Sequence, residues 1–299
     1  MELHRPLPLP PFQPFSGAAV LTLTLVLLTG LPAMAGAQGD SFQEELREIL
    51  AHPGVQEAMA RAEALDSWTL ERLVELTEIP APPFMEEERA RAFASLLEAA
   101  GADSVRLDEV GNVLAYRGGS GRNGRTVALG GHLDTVFPEG TDVTVRRRGD
   151  TLFAPGVGDD TRGLVVVLTV LRALEEAGVE TEADLIFVGT VGEEGLGDLR
   201  GMKHLFRDGG PPIDAFIEVD GGGSATIVSM GLGSTRYRVT FAGEGGHSWG
   251  AFGLVNPAHA LGRAIDAFAE AADPLTRGEP RTSFNVGRIG GGTSINSIQ

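Results

Sequence analysis

Four short segments of this chain carry side chains that bind hard cations or move protons: His132-Leu133-Asp134, Asp159-Asp160, Glu193-Glu194 and Asp220. Imidazole and carboxylate together are the ligand types that suit zinc or manganese. Each segment also has an ordinary reading. An H-x-D triplet arises readily by chance, and a Glu-Glu pair is commonly a solvated helix cap. Asp159 suits a plain N-cap for the apolar helix that follows, and Asp220, beside Gly221-Gly222-Gly223, suits a turn. Their combination points elsewhere. Carboxylates gathered without a cation disfavour one another's ionisation, and a metal removes that cost. The chemistry then offers roles. A shared Asp can bridge two metals about 3.5–4 Å apart. Asp134, two residues past His132, can hold the imidazole tautomer. Of two adjacent glutamates, one can bind metal while the other works as a general base.

These residues need elements that end beside one another, and the surrounding pattern supplies them. Continuous apolar runs at Ala183–Val188 and Ala215–Val219, with a shorter run at Thr126–Leu129, read as buried parallel strands. His132, Glu193 and Asp220 follow these runs. Open α/β sheets place ligands outside the carboxyl ends of their strands. Ser104–Leu107 and Val113–Tyr116 read as further strands. Helical patterns run from Ser41 (with Glu44, a capping box) to about His52, and over Val55–Ala64, Trp68–Thr77, Glu86–Ala100 and Leu164–Leu174, the last closed by Gly178. The alternation predicts an α/β fold, a mostly parallel sheet covered by helices on both faces. After about Gly231 the texture changes: strand-like Thr235–Phe241, a helix near Asn256–Ala271 and strand-like Ser283–Ile289 form a second, smaller α+β unit.

Composition limits the function classes. The chain has 299 residues, no cysteine and a formal net charge of −17 from 41 acids and 24 bases. Lys203 is its single lysine. Such acidity repels phosphate backbones and anionic lipid, so nucleic-acid binding is disfavoured. Disulfides, thiolate zinc sites and cysteine nucleophiles are excluded. No charged side chain lies between Arg5 and Asp40, and the apolar run Ala18 to Leu28 is short of the ~20 residues a membrane span needs. The small residues Ala33-Met34-Ala35-Gly36-Ala37 follow, with A-x-A cleavage points after Ala35 or Ala37. Residues 1–37 thus read as an export signal, which places the protein in the periplasm or outside the cell with no stable membrane span.

The motifs GGHLDTVF, GVGDDTRG, GEEGLGDLRG, EVDGG, GGHSWG and GGTSINSI occur here in one order. In that order they resemble the dinuclear zinc metallopeptidase family of carboxypeptidase G, peptidase T, acetylornithine deacetylase and aminoacylase. The resemblance runs from about Leu73 to Gln299. It implies that His132 and Asp220 bind one metal, that Asp159 bridges, that Glu194 binds the other metal, and that Glu193 is the general base. It implies a cis peptide bond after Asp159, and it puts Thr161 where many relatives carry lysine. The cofactors would be two divalent ions, zinc in the first place with cobalt or manganese as alternatives. The reaction would be hydrolysis of an amide bond in short peptides or N-acyl amino acids.

Residues 38–231 would form the first part of the catalytic domain and residues 232–299 an inserted ferredoxin-like α+β dimerisation, or lid, domain. Through that lid the protein would form a homodimer, His247 reaching the partner's active site to stabilise the tetrahedral intermediate and Asn296 contacting substrate. Relatives return from the lid to the catalytic domain with a last histidine ligand. The histidines here are His4, His52, His132, His204, His247 and His259, and none stands at that point. On this reading the chain is a C-terminally truncated member, with the lid and one metal site incomplete and activity weak or absent. Two rival readings are a lidless zinc aminopeptidase and a non-catalytic binding or dimerisation module with a partial metal site.

Overall fold

A computed structural model describes residues 32–221 and 226–299. The chain divides into two compact units, residues 1–225 and 226–299.

The first unit opens with helix α1 (Pro32–Ala51). The reading that started this helix at Ser41 is corrected: Pro32 opens it, a position where proline loses no hydrogen bond, and alanine and methionine carry the next turns readily. Of the expected export signal, residues 1–31 lie outside the described residues. No helix among the described residues is long and apolar enough to cross a membrane.

Helices α2 (Pro53–Ala64), α3 (Asp66–Thr77) and α4 (Glu87–Ala99) follow, then strands β1 (Ser104–Leu107), β2 (Val113–Arg117) and β3 (Thr126–His132). A small hairpin of β4 (Arg146–Arg148) and β5 (Thr151–Phe153) precedes α5 (Thr161–Ala177), β6 (Asp184–Thr190), α6 (Arg200–Leu205) and β7 (Ala215–Glu218). Five strands form one sheet in the order β1-β2-β6-β3-β7. β6, β3 and β7 are parallel, while on the β6 side β2 pairs antiparallel with β6 and β1 antiparallel with β2. Gly178, in the left-handed region at φ 60°, ends α5 where a glycine stop is expected.

The apolar run that reads as a buried helix is one. Leu164, Val167, Leu168 and Leu171 of α5 are fully buried with Phe93 and Leu97 of α4 against one face of the sheet. Leu205 of α6 closes the other face with Leu114, Ala128, Ile186 and Val188. At roughly 1.5–3 kcal/mol for each large apolar side chain buried, these two layers fix where β3, β6 and β7 end.

In the second unit the described elements are β8 (Gly246–His247), α7 (Pro257–Ala272), a 3-10 helix at Asp273–Arg277 and β9 (Ser297–Ile298). Asn256 caps α7 by accepting the Ala258 amide at 2.9 Å. β8 and β9 pair antiparallel, His247 opposite Ser297. Neither Thr235–Phe241 nor Ser283–Ile289 is a strand. A strand needs a ladder partner. Here Tyr237 and Val239 of the first segment and Ile289 of the second are largely exposed, so neither the hydrogen bonds nor the burial that favour a strand are in place.

Candidate metal centre

The last residue of β3 is His132, fully buried. Its ring is held at Nδ1, which lies 3.0 Å from the main-chain carbonyl of Asp134. Nδ1 therefore donates, and Nε2 is left facing the carboxylates. That nitrogen lies 2.8 Å from Oδ1 of Asp159 and 3.7 Å from Oδ1 of Asp220, which stands just beyond β7. One ligand atom each from His132, Asp159 and Asp220 falls within 4.8 Å of the others, and the same holds for His132, Glu193 and Glu194. Thus the structure gathers His132, Asp159, Glu193, Glu194 and Asp220 at the carboxyl end of the parallel strands.

Asp134 plays a different part from the one expected of its side chain. Its carboxylate stands 3.7 Å from the imidazole, and its main-chain carbonyl is the nearer partner. The carboxylate instead accepts the Glu193 amide at 3.0 Å and the Glu194 amide at 2.8 Å. This fastens the loop after β6 to the loop after β3. Burial raises the Asp134 pKa, but the His132 ring and those two amides outweigh it and hold the group below the usual carboxylate range.

The cap of α5 is Asp160, whose Oδ1 accepts the Gly163 amide at 3.1 Å. Asp159, free of that duty, turns its carboxylate towards His132. The Asp159–Asp160 peptide bond is cis. Thr161 is buried at the first helical position.

Two buried residues that the motifs do not signal support this end of the sheet. Arg89 on α4 donates to the carbonyls of Ile79 and Leu133, at 2.6 and 3.0 Å. Its spacing from Ala90, Phe93, Ala94 and Leu97 puts it on the apolar face of α4, and a guanidinium there is the one trace it leaves in the sequence. Asn112 accepts the Val191 amide and donates to the Gly201 carbonyl, both at 3.0 Å, bracing the segment that carries Glu193 and Glu194.

The electrostatics test the fit to a cation. Burial lowers the His132 pKa, but the Asp134 carboxylate beside the ring and the charges of Asp160 and Asp159 carry it up to about 10. Burial pushes Glu193 and Glu194 upward, and each feels its carboxylate neighbours as well. A single imidazole is thus set among a surplus of carboxylates. Hard oxygen donors, one nitrogen donor and unbalanced negative charge fit a divalent cation.

In the second unit, His247 Nδ1 accepts the amides of Trp249 and Gly250 at 3.2 and 3.5 Å, leaving Nε2 as the donor. The Ser248 amide donates to the Asn296 carbonyl at 2.9 Å. His247 and Asn296 line one shallow cavity with Gly245, Gly246 and Thr293. The structure therefore brings together the two residues expected to face substrate.

Comparison with known proteins gives one consistent answer. Carboxypeptidase G2 of Pseudomonas sp. (strain RS-16) is 28% identical over 162 residues, 52% of this chain and 36% of that protein. A Pyrococcus abyssi protein that carries the name LysW-lysine/LysW-ornithine hydrolase is 39% identical over 124 residues, 42% of this chain and 33% of its own length. The chain thus spans about a third of the length of these relatives. Aminopeptidase PepT from Bacillus cereus ATCC 10987 superposes with a TM-score of 0.51 at 22% identity, over 77% of this chain and 62% of that one, a likeness of fold. The family described as Peptidase family M20/M25/M40 matches residues 128–299, more than half of the chain and all of the strand-end cluster, and the chain belongs to that family.

Proposed function

We propose that this protein hydrolyses an amide bond in short peptides or N-acyl amino acids with the help of two divalent cations, zinc in the first place. The single observation that carries the reading is the meeting of His132 with Asp159 and Asp220 on one side and with Glu193 and Glu194 on the other. His132, Asp159 and Asp220 would hold one cation, and Glu194, with Asp159 shared, the other. Cations bound there would polarise the scissile carbonyl and acidify water.

Glu193 takes the proton from the attacking water and returns it to the leaving amine. Its pKa is raised, first by burial, which makes the carboxylate a stronger base than a solvated one. Asp134 fixes the position of Glu193 through its main-chain amide. His247, with Nε2 free to donate, serves the developing oxyanion from the partner subunit of a homodimer formed through residues 232–299. Asn296 contacts substrate. The export reading of residues 1–37 places the activity in the periplasm or outside the cell.

The test is Glu193→Gln. The variant should bind zinc or cobalt as the wild type does and lose turnover of dipeptides, tripeptides and N-acyl amino acids by at least ~100-fold. Undiminished turnover by this variant would refute the assignment of the base. Absence of cation binding by the wild type would refute the site.

A further inference from the structure

Asp160 is fully buried, one residue from Asp159, and its carboxylate is spent on main-chain amides. Oδ2 accepts the amide of His132 at 2.9 Å, and Oδ1 accepts that of Gly163 at 3.1 Å. One carboxylate thus ties the last residue of β3 to the first turn of α5. A third element is drawn in. The main-chain amide of Val219 donates to the Gly130 carbonyl at 2.8 Å, setting the residue before Asp220 against the end of β3.

Two glycines make the seat. A Cβ on Gly131 would stand 2.8 Å from Oδ2 of Asp160, and one on Gly163 would stand 2.3 Å from its Oδ1. The Gly163 Cβ would also meet the Val219 carbonyl at 2.0 Å. Any side chain at Gly163 would therefore part α5 from the end of β7 as well as unseat the carboxylate. His132, Asp159 and Asp220 come from three different elements, and the contacts between those elements converge on Asp160, Gly131 and Gly163.

We infer that Asp160 is the positioning residue for the His132–Asp159–Asp220 cluster, locking its geometry through the amides of His132 and Gly163 before any cation arrives. The inference rests on the proposed metal centre. It makes the cluster a preformed triangle rather than one assembled by the cation. Outer partners that orient ligands in this way typically change metal affinity by about 10–100-fold when altered.

The experiment compares wild type, Asp160→Asn and Leu97→Ala, a core variant on α4, by calorimetric titration with zinc and by the visible spectrum of bound cobalt. Asparagine keeps one accepting oxygen and turns an NH2 group towards the other amide. Expected is a loss of at least 10-fold in affinity with an altered cobalt spectrum for Asp160→Asn, against wild-type affinity and spectrum for Leu97→Ala despite its lower melting temperature. Asp160→Asn that binds within about twofold of wild type, or a loss of affinity in Leu97→Ala that matches it, overturns the inference while leaving the metal centre standing. A wild type that binds neither metal overturns both. Should Asp160→Asn fail to fold, amide exchange in the wild type decides: protection of the His132 and Gly163 amides in the metal-free protein supports the lock, and protection that arises only on adding zinc overturns it.

Discussion

Removing the Asp134 carboxylate should weaken the whole fold as well as the site. Asp134→Ala leaves the Glu193 and Glu194 amides without the acceptors they have at 3.0 and 2.8 Å. An orphaned buried donor costs about 1–3 kcal/mol, so the pair amounts to roughly 2–6 kcal/mol. Folded domains of this size have only about 5–15 kcal/mol in hand, and each kcal/mol moves the melting point by about 2–4 °C. The metal-free variant should therefore melt on the order of 10 °C below wild type. Asp134→Asn, with one acceptor left, should fall between. The pH dependence supplies a second reading. A carboxylate whose folded pKa is depressed stabilises the protein fully above its ordinary value of 3.8 and loses that contribution as pH falls through the lowered value. The gap between wild type and Asp134→Ala should thus be constant from neutral pH to about pH 4 and narrow below it. Calorimetric melts in chelator across that range measure both. A variant melting within about 2 °C of wild type at neutral pH would show that the carboxylate does not hold this loop.

Cation binding should release a proton from His132. With a pKa raised to about 10, the imidazole is charged at pH 7 and must lose its proton to become a ligand. Titrations in buffers of different ionisation enthalpy should show about one proton leaving per cation at the first site, and a binding enthalpy independent of the buffer would refute it. The same raised value makes the His132 contribution to metal-free stability complete below 6.5 and lost as pH rises through about 10, which melts in chelator will follow. Arg89→Lys should fail to replace arginine, since an ammonium cannot serve the carbonyls of Ile79 and Leu133 together. Expected in urea unfolding is a loss of about 2–3 kcal/mol, and wild-type stability in this variant would refute the role given to the fork.

Much of the first unit can be read from the chain because its signals are local. The apolar run within α5 and the runs of β6 and β7 declare burial by themselves, and glycine marks the end of α5. The second unit is different. Thr235–Phe241 has the composition of a strand, but composition only makes a segment compatible with a ladder, and pairing depends on what lies beside it. The strand ends of the first unit were legible as candidate cation sites because histidine, aspartate and glutamate follow apolar runs directly. Which group caps α5 was not. The sequence reading offers Asp159 as the cap, and Asp160 holds that place instead, because the choice depends on where the His132 and Gly163 amides fall in space.

That ambiguity also separates the acids that can hold a cation from those that cannot. Asp134 and Asp160 are fully buried and have given their oxygens to main-chain amides. Asp159 and Asp220 keep side chains 59% and 50% exposed, with an oxygen of each near Nε2 of His132. The buried pair cannot ligate without orphaning amides, at about 1–3 kcal/mol for each, whereas the open pair gives up only solvent. Both sets are aspartates within three residues of a strand end or helix start, so residue type and spacing are the same for each. The buried carboxylates hold the strand-end loops still, and the open ones, carried on the loops so held, face one imidazole with more negative charge than it can balance. Rigidity of the frame and excess charge of the open cluster are therefore produced by neighbouring side chains of a single type, divided by which of them the backbone amides claim.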